Sequence, residues 1–472
     1  MLTFYPDKQA KQPLYRQLYE FVKTMIQSGQ LKTGEKMPSK RALSAHLKLS
    51  QVTIDTAYQQ LVMEGYLKAK AKSGFYVEPY DHPLIGSFLK TKALIKEKTL
   101  FDYQWAFQTN VIDESFFPHA LWGKLVRETL NSQKVGINQF DKQGLEELRL
   151  EIAKYLKNFR GIICRPEQIV VGSGTESLLA LLIPLLGTTL HYGMENPGYP
   201  KISQFFRNWD LLFSYVNLDD HGLRVEELSK KQIDVVHVTP SHQFPMGIVM
   251  PLQRRLELLN WAKLKEKRFI IEDDYDSEFR YLGQPIPALS SLDGLGKVIY
   301  MNSFSKSLAP SLRISYMVLP EALLQVFLER FSYHSSSVPY FEQWVLAKFM
   351  EGGHFERHLN RMRKVYKNRL SFFQKVFGEL GLDECFLLQG YDAGLHFLMT
   401  TKKATEEALI KAAEKVKIKV LGLSEFTFQE ANYPTSLVIG YSGLNEEQIK
   451  TALTKLKTPW ALCLTKPDNM IE

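Results

Sequence analysis

Between residues 168 and 320, short β-rich apolar runs alternate with helical segments. Nothing else in the chain limits its fold as tightly. The runs fall at 168–171, 188–192, 211–216, 234–239, 268–272, 298–302 and 316–319. They read as buried strands, and strands separated by helices in this way build an α/β domain around a mostly parallel sheet with both faces covered. In such sheets ligands bind at the carboxyl ends of the strands. Chemistry is therefore expected in the residues just after each run.

Four segments occupy such places. Val171-Gly172-Ser173-Gly174-Thr175-Glu176-Ser177 opens a helix with a Gly-rich turn, offering free amides and a positive dipole end to a phosphate. Taken alone it is equally a plain strand-to-helix turn. Ile271-Glu272-Asp273-Asp274-Tyr275 puts a carboxylate at the end of a buried strand, which is costly without a cationic partner. A pyridinium nitrogen is such a partner, and a phenol two residues on can hydrogen-bond a ring oxygen; a loop of surface acids is the other reading. Ser303-Phe304-Ser305-Lys306-Ser307-Leu308, with Arg313 beyond it, combines an aldehyde-trapping amine with a phosphate clamp, set against the ordinary solvent-facing lysine. Residues 239–247 by themselves indicate only a turn.

The first 80 residues are organised differently. Leu14, Leu18, Phe21, Val22, Met25 and Ile26 recur at helical spacing and predict an amphipathic helix over 13–28. Ser39 is placed to cap a second helix, with Leu43 and Leu47 facing inward. Ser50 is placed to cap a third, running through Val52, Ile54, Tyr58 and Leu61 to Gly65. Strand-like stretches at 66–69 and 75–77, joined by a basic loop, complete a winged helix-turn-helix whose third helix enters a DNA major groove. The charge distribution agrees. These 80 residues hold 12 Lys/Arg against 6 Asp/Glu, whereas the other 392 hold 47 against 45. That asymmetry suggests a polyanion-binding module joined to a nearly neutral body. Pro83, Gly86 and lysines without apolar periodicity mark 81–100 as a linker. The expected domains are 1–80 for DNA binding, 81–100 as linker, and 101–472 as the large domain.

Both parts resemble known families. Residues 168–320 resemble a fold-type I, pyridoxal-phosphate-dependent aminotransferase in motif order and spacing. Residues 1–78 resemble the GntR-type winged helix-turn-helix through Pro13-Leu14-Tyr15, Gly29, Gly34, Met37-Pro38-Ser39-Lys40-Arg41, Ser50-Gln51-Val52-Thr53, Glu64-Gly65-Tyr66 and Gly74-Phe75-Tyr76-Val77. In this order the two together resemble the MocR subfamily of GntR-type bacterial transcription regulators. The resemblance implies pyridoxal 5'-phosphate as cofactor and Lys306 as the catalytic-type lysine that forms the internal aldimine. It implies that Asp273 pairs with the pyridine nitrogen, keeping the ring electron-poor. It also implies Tyr275 near the ring oxygen, Tyr199 stacked on the ring, and Gly174, Thr175, Ser303, Ser305 and Arg313 around the phosphate. On the DNA side it implies Ser39, Arg41, Ser50, Gln51 and Thr53, with Lys72 and Gly74 in the wing.

Three positions depart from the pattern. Aminotransferases place an Asn before Pro-x-Gly to hold the cofactor's ring oxygen; here the turn reads Phe244-Pro245-Met246-Gly247, a departure that MocR proteins share. The C-terminal Arg that binds a substrate α-carboxylate has no counterpart in Ser436-Leu437-Val438-Ile439-Gly440-Tyr441. A bidentate fork is hard to replace with apolar residues. Lys201 stands where a GABA-responsive member carries a second carboxylate-binding Arg, so GABA is not the expected effector. Lys201, Arg207 and Arg224 are the candidate substitutes, with a surface role as the other reading of each. Finally, Gln51 stands where many GntR helices carry Arg; Gln prefers adenine edges, or it touches only phosphate or water.

The resulting expectation is a cytoplasmic, homodimeric transcription regulator. Pyridoxal phosphate held at Lys306, with or without an amine or amino-acid effector, controls binding to double-stranded operator DNA. A working aminotransferase is the alternative, and residual transaminase activity the most that is expected of a regulator. No apolar run approaches the roughly 20 residues of a membrane helix. The N-terminal residues carry no export signal. Three widely spaced cysteines, Cys164, Cys385 and Cys463, give no disulfide framework and no metal spacing.

Overall fold

The computed structural model describes residues 4–7, 10, 12–80, 102–132, 141–281, 286–429 and 433–464. The chain divides into two compact units, Met1–Leu100 and Phe101–Glu472. The linker expected at 81–100 lies outside the described residues.

Among its described residues the first unit has three helices, α1 (Leu14–Gln27), α2 (Lys40–Leu47) and α3 (Gln51–Met63), and then the antiparallel hairpin β1 (Leu67–Lys70) and β2 (Gly74–Val77). Both expected caps form. Ser39 Oγ accepts from the Ala42 amide at 3.2 Å, and Ser50 Oγ from the Thr53 amide at 3.1 Å. Each satisfies one amide that the first helical turn leaves without an intrahelical partner. Leu18, Val22, Leu43, Ile54, Tyr58 and Leu61 form the core beneath the hairpin. The Tyr58 hydroxyl donates to the Pro38 carbonyl at 3.1 Å, tying α3 to the chain that enters α2. Val52, two positions past the Ser50 cap, is 75% exposed, whereas Ile54 in the same turn is fully buried.

In the second unit a short strand, β3 (Trp105–Ala106), precedes α4 (His119–Asn131) and α5 (Glu146–Arg160). The central sheet then uses β4 (Ile169–Gly172), β5 (Tyr192–Asn196), β6 (Phe213–Asp219), β7 (Gly222–Leu223), β8 (Val235–Val238), β9 (Phe269–Asp273), β10 (Val298–Ser303) and β11 (Ser315–Val318). Their spatial order is β4-β11-β10-β9-β8-β5-β6-β7. Pairing is parallel from β10 through β9, β8 and β5 to β6; β11 runs antiparallel to both of its neighbours, and β7 is an antiparallel edge. The expected mostly parallel sheet is therefore present. Apolar clusters cover it on both faces. A smaller antiparallel sheet near the C-terminus is formed by residues 387–389, 396–401, 421–422 and 435–440.

One strand is displaced from its expected place. The run predicted at 188–192 begins only at Tyr192 and continues to Asn196. Gly193 and Asn196 look like turn residues in the sequence. Asn196 is nevertheless buried, because its amide donates to Asn217 Oδ1 at 3.1 Å and its side-chain carbonyl oxygen accepts from the Phe428 amide at 2.9 Å. Hydrogen bonding offsets the cost of burying it. All three cysteines are free, and no helix among the described residues is long and apolar enough to cross a membrane.

Charge is buried directly behind the strand ends. Arg160, at the end of α5, pairs with Asp274 at 2.8 Å, with both side chains almost wholly buried. The Arg160 guanidinium also donates to the Ile286 carbonyl at 2.6 Å and to Ser241 Oγ at 2.7 Å. The Tyr300 hydroxyl donates to Asp274 at 2.6 Å. Glu272 accepts from the Leu289 and Ser290 amides at 2.7 and 2.8 Å. Removing one partner of a buried ion pair strands the other. Arg160→Met is accordingly expected to cost about 3–5 kcal/mol in denaturant unfolding, and adding Asp274→Asn to recover part of that loss.

Candidate functional site

The carboxyl ends of β4, β5, β8, β9 and β10 surround a cleft of about 200 Å³. All nine residues expected there from the sequence line it: Gly174 and Thr175 after β4, Tyr199 after β5, Asp273 and Tyr275 at the end of β9, Ser303, Ser305 and Lys306 at the end of β10, and Arg313 in the turn before β11. Parallel strands bring these distant segments together because each strand ends on the same edge of the sheet.

Lys306 is half-buried and its amine donates to the Thr109 carbonyl. Burial pulls its pKa down to about 8, a shift that the charge of Asp276 partly opposes. Asp273 is buried and lies 3.3 Å from His237 Nε2, which projects from β8. The Tyr275 hydroxyl donates to the His242 carbonyl at 2.9 Å. Burial holds its pKa well above the ordinary phenol value, so it stays protonated.

At the other end of the cleft, Gly174 and Thr175 open the helix α6 (Thr175–Leu186). Gly174 has φ +131°, and a Cβ there would stand 2.2 Å from Arg313 Nη2. Glycine is thus what lets the guanidinium approach the helix N-terminus. Glu176 lies between two cations, 3.2 Å from Lys201 Nζ and 3.5 Å from Arg313 Nη2. A dianionic group seated here meets a helix N-terminus, two serines and a guanidinium.

The expected Asn is replaced by Phe244, and the wall is aromatic: its ring meets those of Tyr199 and Tyr275 edge-on, at 5.5 and 5.9 Å between centroids. Of the three candidate carboxylate holders only Lys201 lines the cleft. Arg207 and Arg224 take the surface reading, both being exposed. Arg207 donates to the Tyr215 hydroxyl at 2.8 Å, and Arg224 pairs with Glu226 at 2.9 Å, both outside the cleft lining. The 436–441 run forms the buried strand Thr435–Gly440 and then Tyr441, whose hydroxyl bonds to Tyr281 and the Gly394 carbonyl.

Several residues of the site carry no recognised motif in the sequence. Thr109 and Asn110 line the cleft from a loop far upstream. His237 sits in a run that reads only as a strand. Glu195, at the end of β5, is pushed up to about 7 by burial, against hydrogen bonds from Thr239 and Gln243 that favour its charge. A His or Glu inside an otherwise apolar strand is the available signal for the last two.

In the first unit, Arg41 and Gln51 are exposed near the starts of α2 and α3, beside the capping residues Ser39 and Ser50. Thr53 is half-buried, its hydroxyl 2.7 Å from that of Ser50. Lys72 and Gly74 lie in and after the hairpin turn with φ of 56° and 115°. Lys68 pairs with Glu78 at 3.8 Å, and Lys70 lies over the Tyr76 ring at 4.7 Å. Lys40 of α2 pairs with Asp55 of α3, fixing the two helices against each other.

Residues 14–77 match the bacterial regulatory proteins of the gntR family, and residues 120–456 match aminotransferase class I and II. The HTH-type transcriptional regulator YdeL of Bacillus subtilis is 37% identical over 464 residues, covering 95% of this chain and 97% of that one. The probable rhizopine catabolism regulatory protein MocR of Rhizobium meliloti is 31% identical over 476 residues, covering 96% and 94%. The crystal structure of an archaeal alanine:glyoxylate aminotransferase shares the fold, with a TM-score of 0.68 at 23% identity over 76% of this chain and 91% of that one.

An amine with a pKa of about 8 is neutral in about a tenth of molecules at pH 7, against far fewer for an ordinary lysine. Only the neutral form attacks an aldehyde. The rate at which the Lys306 amine reacts with an added aldehyde, read by absorbance after mixing, is expected to rise about tenfold from pH 7 to 9 and then level off.

Proposed function

The chain belongs to the MocR subfamily, GntR-type regulators whose C-terminal part is a class I and II aminotransferase domain, and on that footing we propose that it is a transcription regulator whose binding to operator DNA is controlled by pyridoxal phosphate held at Lys306. The observation that carries the reading is the cleft in which a desolvated amine, a buried carboxylate, a phenol and a helix N-terminus with a guanidinium converge. This donor set fits that cofactor at each of its functional groups. Pyridoxal phosphate, when bound, supplies an aldehyde carbon that reacts with amines and a ring that withdraws electrons.

The chain's own groups have separate tasks. Lys306 provides the neutral amine. Asp273, oriented by His237, holds a positive charge on a ring nitrogen. Tyr275 offers a hydroxyl at the ring-oxygen side, and Tyr199 an aromatic face. Gly174, Thr175, Ser303, Ser305 and Arg313 would hold the phosphate, with Glu176 beside Arg313 at the edge of that pocket. Phe244 and the aromatic wall keep water away from the amine. The sequence between 436 and 441 offers no guanidinium for an α-carboxylate. This supports an effector that is the cofactor itself or an amine held differently, with Lys201 the remaining candidate substitute in the lining.

For DNA, Arg41 and Gln51 read or clamp the duplex from the starts of α2 and α3, while Lys72 meets phosphate from the wing. A homodimer acting in the cytoplasm on two half-sites completes the proposal. The intact trio of Lys306, Asp273 and Tyr275 favours a second reading, a working aminotransferase. Sustained turnover of an amino donor and a keto acceptor distinguishes the two, because a regulator stalls after at most one exchange.

The test joins both ends of the molecule. Wild type treated with pyridoxal phosphate and then borohydride is expected to carry the pyridoxyl group on Lys306 by peptide mass. Its affinity for its own upstream DNA is expected to change with cofactor. Absence of the adduct ends the cofactor reading. Arg41→Ala is expected to weaken DNA binding about tenfold and to lower the slope of log affinity against log salt by about one, as for one lost phosphate contact; fluorescence anisotropy over a salt series measures both.

A further inference from the structure

Three side chains behind the cleft have no task in the proposed function. His242, Asp276 and His396 are all buried, and their polar atoms lie within 4.8 Å of one another. Each already has a protein partner. His242 Nδ1 lies 3.1 Å from Asp276 Oδ2 and 3.2 Å from Oδ1. The Leu395 amide donates to Asp276 Oδ2 at 3.3 Å, and His396 Nε2 lies 3.1 Å from the Pro245 carbonyl oxygen. A group so satisfied is built for hydrogen bonding.

The geometry decides where the protons go. His242 Nδ1 carries one hydrogen, and the Asp276 carboxylate is the strongest acceptor within its reach. The same nitrogen is 3.1 Å from the Tyr275 hydroxyl, but as a donor to Asp276 it cannot take the phenol's proton. That proton goes to the His242 carbonyl, 2.9 Å away. One residue therefore touches the Tyr275 hydroxyl through two atoms, and a carboxylate locks that residue. The pocket for the pair is shaped to it. Gly394, at φ +71°, forms the back wall, and a Cβ there would lie 2.1 Å from the His242 ring and 2.5 Å from Asp276 Oδ2. Phe244, two residues beyond His242, has no polar side chain to share the ring-oxygen side of the cleft with Tyr275.

We propose that His242, locked by Asp276, is a positioning residue for the Tyr275 phenol and replaces the fixed hydrogen bonding that Phe244 cannot supply. The proposal rests on the cofactor reading, because Tyr275 acts only on a ring seated in the cleft. The ionisable groups around the pair are few. His242 faces Asp276, Tyr275 and His396, whose ring centroid is 4.7 Å away. Lys306 acts on His396, and Tyr275 also feels Asp273, Glu195 and Asp274.

The test uses the full chain loaded with pyridoxal phosphate. The visible absorption of the bound cofactor is titrated with pH for wild type, His242→Leu, His242→Asn, Tyr275→Phe and His242→Leu with Tyr275→Phe. Borohydride trapping confirms occupancy of Lys306 in each. His242→Leu is expected to move the midpoint by about one pH unit, a tenfold change in the equilibrium. His242→Asn, whose amide can still donate to Asp276, is expected to titrate as wild type does. In the Tyr275→Phe background His242→Leu is expected to add nothing, since coupled residues are not additive. An unchanged midpoint in His242→Leu, or an equal shift in both backgrounds, overturns the proposal. If His242→Leu does not fold, His242→Phe keeps the ring volume without the donor and is judged by the same criteria. Wild type that fails to capture the cofactor removes the underlying reading and this proposal with it; capture without a His242 effect removes the proposal alone.

Discussion

Buried charge at the ends of parallel strands is the constraint on which the large unit depends. Glu272, Asp273 and Asp274 stand side by side at the end of β9, all buried. Three adjacent acids can occupy such a place only if each has a separate partner. Glu272 takes two backbone amides, Asp274 takes Arg160 and Tyr300, and of the three only Asp273 lines the cleft, with His237 beside it. The side chains on either side of Asp273 are thus neutralised by the scaffold. One carboxylate of the three remains available to a ligand cation.

Much of this was legible in the sequence because function here sits where the chain changes period. Every expected cleft residue comes at or after a strand end, and the topology of a parallel sheet gathers strand ends without further information. The caps Ser39 and Ser50 were legible for a similar local reason: a hydroxyl next to an amphipathic run has one physical use. Other features were not. Thr109 and Asn110 enter the cleft from a loop whose sequence carries no signal, since only the tertiary fold brings it near Lys306. The strand at Tyr192–Asn196 was masked by residues that usually make turns, and burial of Asn196 depends on partners at Asn217 and Phe428 that no local pattern reveals.

The two units meet different physical demands. The first keeps its charge on the surface, where salt screens it and where a polyanion can collect it. The second places much of its functional charge in buried pairs and in the cleft. A regulator of this design needs its ligand to distinguish two states of the protein by free energy, since a ligand of equal affinity for both shifts nothing. The cleft residues drawn from many strands, and from the loop at Thr109, give a ligand many contacts by which to make that distinction.

The aromatic wall at Phe244 has a consequence for how such a ligand is felt. Substituting a ring for an amide thins the local screening, so each charge within the cleft acts over a longer reach than it does in water. Glu176, between Lys201 and Arg313, stands apart from that effect, because all three side chains are about half exposed and water screens them. A charge set against the aromatic wall is therefore felt more strongly than an equal charge beside Glu176.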